Sequence, residues 1–256
     1  MSAHSFVFEG VRRINLVNFG DGSIVVEAGP NEQAVEGTIS AAEDVIDAVE
    51  IRQDNDQLRI EAPVRGWRAL PVHLRLGVPP GLDYAITSGG ADIRIGTEAG
   101  RVRAKSGSGD ITLDVTHDVQ VTSGSGDISI AAVRGESASV GSGSGDVQIG
   151  EAFCPLIAKS GSGDVTVHTL HSTQLRASSG SGDISVPSTR GSLDLRSASG
   201  AIVVGVADKL PAWLDLHSVS GDVRIAMDAT DAPGQGEPFV SIKARTASGD
   251  IAVYRA

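Results

Sequence analysis

Apolar residues alternate with polar ones inside short segments of the chain, and the segments recur with a period of about 18 residues. Each period contains Ser-Gly-Ser-Gly-Asp, or a looser copy of it, followed in every copy by Ile or Val. The five full copies end at Asp110, Asp127, Asp146, Asp164 and Asp183. The looser copies are centred on Asp92, Ala201, Asp222 and Asp250. The chain is therefore a repeat protein.

Four positions of each repeat are apolar in all copies: one and three residues after the Asp, and six and eight residues before it. This period of two on both sides of a turn predicts two short strands per repeat, and the β-branched residues after the turn favour strand over helix. A single repeat cannot bury its few inward side chains, but stacked repeats can. The pattern predicts an all-β protein, a single-stranded β-solenoid with coils of about 18 residues. A meander of antiparallel hairpins is the alternative, which the constancy of the columns disfavours.

The residues of the turn have separate predicted roles. The Ser four positions before the Asp lies in phase with the inward apolar residues, so we expect a buried hydroxyl column that hydrogen-bonds to the neighbouring coil. Glycine one and three positions before the Asp is expected to adopt positive φ and to let neighbouring coils approach closely.

Stacking places the aspartates in a column with like charges about 5 Å apart, so something must offset their repulsion. Turn N–H groups of the same or the next coil are the favoured partners of these carboxylates. The alternative is calcium bound between coils, which would use Asp110, Asp127, Asp146, Asp164 and Asp183. The phase of the motif differs from that of calcium-binding nonapeptide repeats, so we expect no metal and no other cofactor.

Basic residues recur at the outward position five residues before the Asp, for example Lys105, Lys159, Arg196 and Arg245. Solvated ion pairs are the favoured interpretation. A glycan-binding module using the Asp column and this basic face is the alternative function. A solenoid carbohydrate-active enzyme ranks third, because such enzymes need a cleft under long loops and the repeats contain one insertion only, residues 226–238.

Residues 1–80 lack the Gly-Ser signature and are predicted to form an irregular β cap, continuous with the repeat solenoid of residues 81–256 in one structural domain. The turn of residues 54–57 precedes Leu58 and Ile60 as the repeat turn precedes its apolar pair, so we expect these two residues in the same columns. Trp67 is predicted to be buried in the cap.

The formal net charge of −11 excludes a general nucleic-acid binder. The sequence contains no apolar run of about 18 residues, which predicts no membrane insertion. The first residues have neither a basic nor an apolar region of a signal peptide, so we expect a cytoplasmic location.

The chain resembles a bacterial putative-adhesin family of β-strand-repeat proteins, a domain of unknown function. The resemblance rests on an Asn-Asp-rich turn before Leu58-Arg59-Ile60, on Pro79-Pro80-Gly81, and on the serial Ser-Gly-Ser-Gly-Asp repeats. It implies a β-solenoid with a non-catalytic surface or scaffold role, and allows envelope association through a partner.

The last repeat ends at Val253, and we expect its coil to form the open end of the solenoid. Open strand edges pair with other chains. The sequence therefore predicts a protein partner, or self-association, at an edge formed by Ile242, Ala244, Ile251, Val253 and Tyr254.

Overall fold

The computed structural model describes residues 2–65, 68–207, 210–228 and 239–256. Backbone proximity groups the chain into two compact units, Met1–Ser129 and Ile130–Ala256. Trp67 and residues 229–238 of the insertion lie outside the described residues.

The first unit consists of strands and one helical turn, α1 (Glu43–Ile46). Its strands are β1 (Ser2–Glu9), β2 (Arg13–Phe19), β3 (Gly22–Ala28), β4 (Ala34–Ala41), β5 (Glu50–Asp54), β6 (Gln57–Glu61), β7 (Val64–Arg65), β8 (Arg68–Ala69), β9 (Val72–Val78), β10 (Leu82–Ser88), β11 (Asp92–Ile95), β12 (Ala99–Ser106), β13 (Ile111–Thr116) and β14 (Val119–Ser123). β15 (Ile128–Val133) contains the boundary between the units.

Parallel coils stack in the first unit, and antiparallel strands cover their outer end. One wall runs β5-β6-β2-β10-β12-β14, and the other runs β1-β4-β9-β3-β11-β13. Within these walls pairing is parallel except for β5 with β6, β1 with β4, and β4 with β9, and β7 and β8 form a separate antiparallel pair. The coil of β2 and β3 is the first in sequence but lies second in space, between the coil of β6 and β9 and the coil of β10 and β11.

The elements of the second unit among its described residues are all strands. They are β16 (Ala138–Ser142), β17 (Val147–Ala152), β18 (Leu156–Ser160), β19 (Val165–Leu170), β20 (Gln174–Ser179), β21 (Ile184–Thr189), β22 (Ser192–Ser197), β23 (Ile202–Val206), β24 (Ala212–Ser218), β25 (Val223–Ala226), β26 (Val240–Thr246) and β27 (Ile251–Arg255).

Two parallel walls also form this unit, with orders β16-β18-β20-β22-β26-β24 and β17-β19-β21-β23-β27-β25. Each strand pairs with the strand one coil away, for example Leu156 with Leu175 and Val165 with Ile184. The prediction of a β-solenoid with two strands per coil is confirmed. The coil of β26 and β27 is the last in sequence but lies inside the stack, and the coil of β24 and β25 lies at the end.

The core consists of the predicted apolar columns. In each unit, residues at one and three positions after the Asp, and at six and eight before it, are almost completely buried, except in the coil of β24 and β25; examples are Ile111, Leu113, Leu175 and Leu195. Residues at the same repeat position stack on one another, because the strands of successive coils pair in parallel and in register. This stacking gives each column a continuous apolar contact that one repeat could not form.

The turn of residues 54–57 differs from the prediction. It joins β5 to β6 in an antiparallel hairpin, with Asn55 at φ 53°. Leu58 and Ile60 pair with Ile14 and Leu16, which pair with Tyr84 and Ile86. They therefore occupy the columns before the Ser turn, and their predicted assignment to the columns after the Asp was wrong. A local turn pattern does not specify whether the following strand runs back along its own hairpin or onward around a coil.

Candidate interaction site

The Ser column is buried and hydrogen-bonded along the stack, as predicted. Ser179 in the second unit is 6% exposed. Its Oγ accepts the N–H of Gly182 at 2.9 Å and donates to the carbonyl of Gly163, one coil away, at 2.9 Å. Ser160 and Ser197 make the same pair of bonds. Each hydroxyl thus satisfies one backbone donor and one backbone acceptor at a dry corner.

The glycines of the turn are required for close approach, and not for positive φ. The glycines with positive φ among the described residues are Gly10, Gly22 and Gly81, none of them in a repeat turn, so that part of the prediction was wrong. A Cβ on Gly163 would lie 2.6 Å from Oδ1 of Asp146 and closer still to the carbonyl oxygen of Gly145. The turns stack backbone on backbone, and a side chain there would force the coils apart.

The aspartates form a ladder of hydrogen bonds between coils. In the first unit, Oδ1 of Asp110 accepts the backbone N–H of Asp127 at 2.9 Å. In the second unit, Oδ1 of Asp164 accepts the N–H of Asp183 at 2.7 Å, and Asp183 accepts the N–H of Ala201 at 2.7 Å. The favoured structural interpretation agrees with these contacts. Among the described residues no three His, Cys, Asp or Glu side chains are grouped so that they could hold a metal ion.

The structure contradicts the placement of the open edge at the last coil in sequence. Ile242, Ala244, Ile251 and Val253 are fully buried, because β26 pairs with both β22 and β24, and β27 pairs with both β23 and β25. Tyr254 likewise lies between Gly205 and Ala226. These residues belong to the interior of the stack.

The strand edge lies instead on the coil of β24 and β25, which we call the end coil. In the described part of the chain no further strand pairs with β24 or β25. Val223 and Ile225 are 43% and 55% exposed, whereas their counterparts in the other coils are buried. Trp213 is 58% exposed on the outer face of β24. Sequence reasoning missed this edge, and the one signal for it was the long interval of 28 residues between Asp222 and Asp250.

Two ionisable groups of the first unit have a shifted pKa with a clear cause. Hydrogen bonds from the guanidinium of Arg13, at 2.9 and 3.1 Å, lower the pKa of the Asp56 carboxyl. Burial raises the pKa of Tyr84, whose Oη is dry and has no hydrogen-bond partner among the described residues.

The sequence matches the family model of the Toastrack domain, DUF4097, over residues 16–254. The chain belongs to the Toastrack family. The Toastrack domain is a β-solenoid, in agreement with the stacked coils described above. No curated protein matches the chain.

Several solved structures share the fold. A protein named "putative adhesin" from Bacteroides fragilis is 13% identical, with a TM-score of 0.51, over 98% of this chain and 97% of that one. A second "putative adhesin", from Parabacteroides merdae, is 9% identical with a TM-score of 0.52, over 98% and 95%. A "putative lipid binding protein" from Parabacteroides distasonis is 15% identical with a TM-score of 0.50, over 98% and 96%. At these identities the likeness concerns the fold alone.

The only described helix is one turn long, and no helix among the described residues could cross a membrane.

Proposed function

We propose that this Toastrack protein is a non-catalytic scaffold that associates with a second copy of itself through its end coil. The observation that carries the proposal is the uncovered edge of β24 and β25. On one side, both strands present backbone groups that no other described strand pairs with, and such edges are templates for pairing with another chain. The solved relatives that bear the name adhesin agree with an interaction role.

In the end coil, the apolar side chains of the repeat columns are partly exposed, whereas in the other coils they are buried. Leu214 and Leu216 continue columns that are almost fully buried elsewhere, yet here they are only partly covered. Val223 and Ile225 continue the columns of the opposite wall. Covering these four side chains would remove apolar surface from water, which is the main driving force for association.

A second end coil fits this surface better than a single extended peptide. The end coil offers two strand edges at once, one from each wall, and a lone peptide would pair with one and leave the other exposed. A second end coil presents the same two edges with the same alternation of side chains. Pairing two identical surfaces gives a closed two-fold dimer.

Charge at the end coil does not oppose this contact. Asp215 is bridged by Arg245 at 3.4 Å, and Asp222 is bridged by Arg224 at 3.3 Å. Prolines and inward-pointing charges protect strand edges from pairing; β24 and β25 contain no proline, and their charged residues, Asp215 and Arg224, alternate with the inward apolar residues and therefore point outward. The net charge of −11 acts at longer range, so added salt should strengthen association by screening it.

The test is light scattering over a wide concentration range, with Ile225→Lys as the edge variant. Lysine there would place a charge in the apolar contact, and we expect the dimer to weaken by at least about tenfold. Val219→Lys is the matched control, since Val219 is 73% exposed in the turn of the same coil and lies outside both strands. A chain that stays monomeric at all concentrations, or a dimer that Ile225→Lys leaves unchanged, would refute the proposal.

The cytoplasmic location and the absence of a bound metal stay predictions. Localisation with an antibody tests the first. A calcium titration of the melting temperature tests the second, because several tight sites per chain would raise it.

A further inference from the structure

Positive charge is concentrated on one outer face of the second unit. This face, which we call the basic face, consists of the outward side chains of β16, β18, β20, β22, β26 and β24. Its cations are Lys159, Arg176, Arg196, Lys243 and Arg245, and its carboxylates are Asp194 and Asp215. The local charge is thus +3, in a chain whose net charge is −11.

The cations are spaced along the stack. Strand register places Ile157 beside Arg176, Arg176 beside Asp194, and Asp194 beside Lys243. The neighbouring row runs from Lys159 through Ser178 and Arg196 to Arg245. Four successive coils therefore present at least one cation each, at steps of about 4.8 Å. That step is comparable to one sugar unit of an extended polysaccharide.

Three of these cations form no ion pair with a residue that the structure describes. Arg196 is bridged by Asp194 at 3.1 Å, and Arg245 is bridged by Asp215. Within the described ranges, Lys159, Arg176 and Lys243 form no ion pair. Lys159 lies between Gly141 and Ser178, whereas Asp194 lies beside Arg176 and Lys243, and Asp215 lies beside Lys243. An anion in contact with these three cations would not have to break an ion pair among the described residues.

The basic face also has room for a ligand. A shallow groove of about 360 Å³ is lined by residues that include Ser139, Ile157, Gln174 and Arg176. A second groove, of about 300 Å³, is lined by Lys159, Arg176, Ala177, Ser178, Asp194 and Arg196. Arg176 borders both grooves. The outward residues between the cations are small, which leaves a depression in the surface, and hydroxyl and amide groups line this depression.

Trp213 lies at the end of the same face. It projects outward from β24, opposite Ser241 of β26, and is 58% exposed. An exposed indole beside cations and hydroxyl groups favours a sugar over an inorganic polyanion, because the flat apolar face of a pyranose ring packs on an aromatic side chain.

We propose that the basic face binds a linear polysaccharide that carries carboxylate groups, lying across the strands and along the stack. Lys159 and Arg176, on neighbouring coils, pair with the carboxylates of two neighbouring sugar units, and Lys243, two coils beyond Arg176, pairs with a carboxylate two units further along. Trp213 packs against one sugar ring. The aspartate ladder takes no part, since its Oδ1 atoms already accept backbone N–H groups. The site does not depend on assembly through the end coil.

The test is calorimetry with an oligogalacturonate as the probe, and with the fully methyl-esterified oligomer as the uncharged match. The combined variant Lys159→Gln, Arg176→Gln, Lys243→Gln should weaken binding of the acidic oligomer by at least about tenfold. The control variant Arg12→Gln, Arg94→Gln, Arg190→Gln removes the same charge from exposed positions outside the basic face and should bind normally. Equal losses in both variants, or equal binding of the esterified oligomer, would overturn the proposal.

Tryptophan fluorescence provides the second measurement. The acidic oligomer should change the emission of the parent chain and leave that of Trp213→Phe unchanged. Inorganic polyphosphate distinguishes a sugar site from a surface that binds any polyanion. If the chain binds polyphosphate tightly, and if Trp213→Ala alters neither that binding nor the affinity for oligogalacturonate, the sugar assignment is refuted. Ile225→Lys should keep its affinity for the oligomer, which separates this site from the self-association surface.

Discussion

Replacing Ser179 with Ala removes a hydroxyl that bridges two coils of the second unit. Two backbone groups then lose their partner: the N–H of Gly182 and the carbonyl of Gly163, each 2.9 Å from Oγ. A buried backbone group left unpaired costs about 1 to 3 kcal/mol. Ser179 is 6% exposed, so water reaches the vacated corner poorly. We expect Ser179→Ala to lower the free energy of unfolding by about 2 to 4 kcal/mol, a large part of the 5 to 15 kcal/mol typical of a domain.

The adjacent residue supplies the matched control. Ser178 points outward on the same strand, and Ser178→Ala should change stability by no more than about 0.5 kcal/mol. Ser179→Thr should retain most of the stability, since Thr246 occupies the same column and donates to the carbonyl of Gly200 at 3.0 Å.

Urea unfolding followed by circular dichroism measures these differences, and hydrogen exchange reports the protection of the Gly182 amide directly. In Ser179→Ala that amide should exchange faster, while amides of distant coils should keep their protection, because repeat units interact mainly with their neighbours. Equal stability of Ser179→Ala and Ser178→Ala would refute the buried hydroxyl ladder.

Three further substitutions test the glycine turn and the two groups whose pKa is shifted. Gly163→Ala should destabilise by several kcal/mol, because its Cβ meets the stacked backbone, whereas the outward Thr166→Val should shift the melting temperature little. Tyr84→Phe removes a dry, unpaired hydroxyl and should raise stability by about 1 kcal/mol; since burial raises the pKa of Tyr84, the parent should lose stability as pH rises above about 10, and the variant should lose less. Arg13 lowers the pKa of Asp56, so the pair should contribute stability at neutral pH that is lost as pH falls below the usual carboxyl range, a loss that Asp56→Asn should abolish in acid unfolding curves.

The repeat by itself determined the architecture of the coils. Alternation of apolar and polar residues fixes which side of a strand faces inward, and a one-residue slip would expose every apolar column. The buried Ser column and the inward pairs flanking each Asp could therefore be predicted residue by residue. The close approach of the turn glycines followed from the same register, but their φ did not, because chain geometry at a stacked corner permits ordinary negative angles.

Tertiary structure decided which coils lie at the ends. Leu58 and Ile60, and later Ile242 and Val253, carry the same apolar alternation as their neighbours, so nothing local separates an interior coil from an exposed one. The β26–β27 coil inserts beneath the coil of β24 and β25, and this exposes Val223 and Ile225 in place of the last residues of the sequence. Two equivalent repeats can stack in either order with similar local energy. The order that forms is selected by the connections between the coils and by the packing of the whole stack.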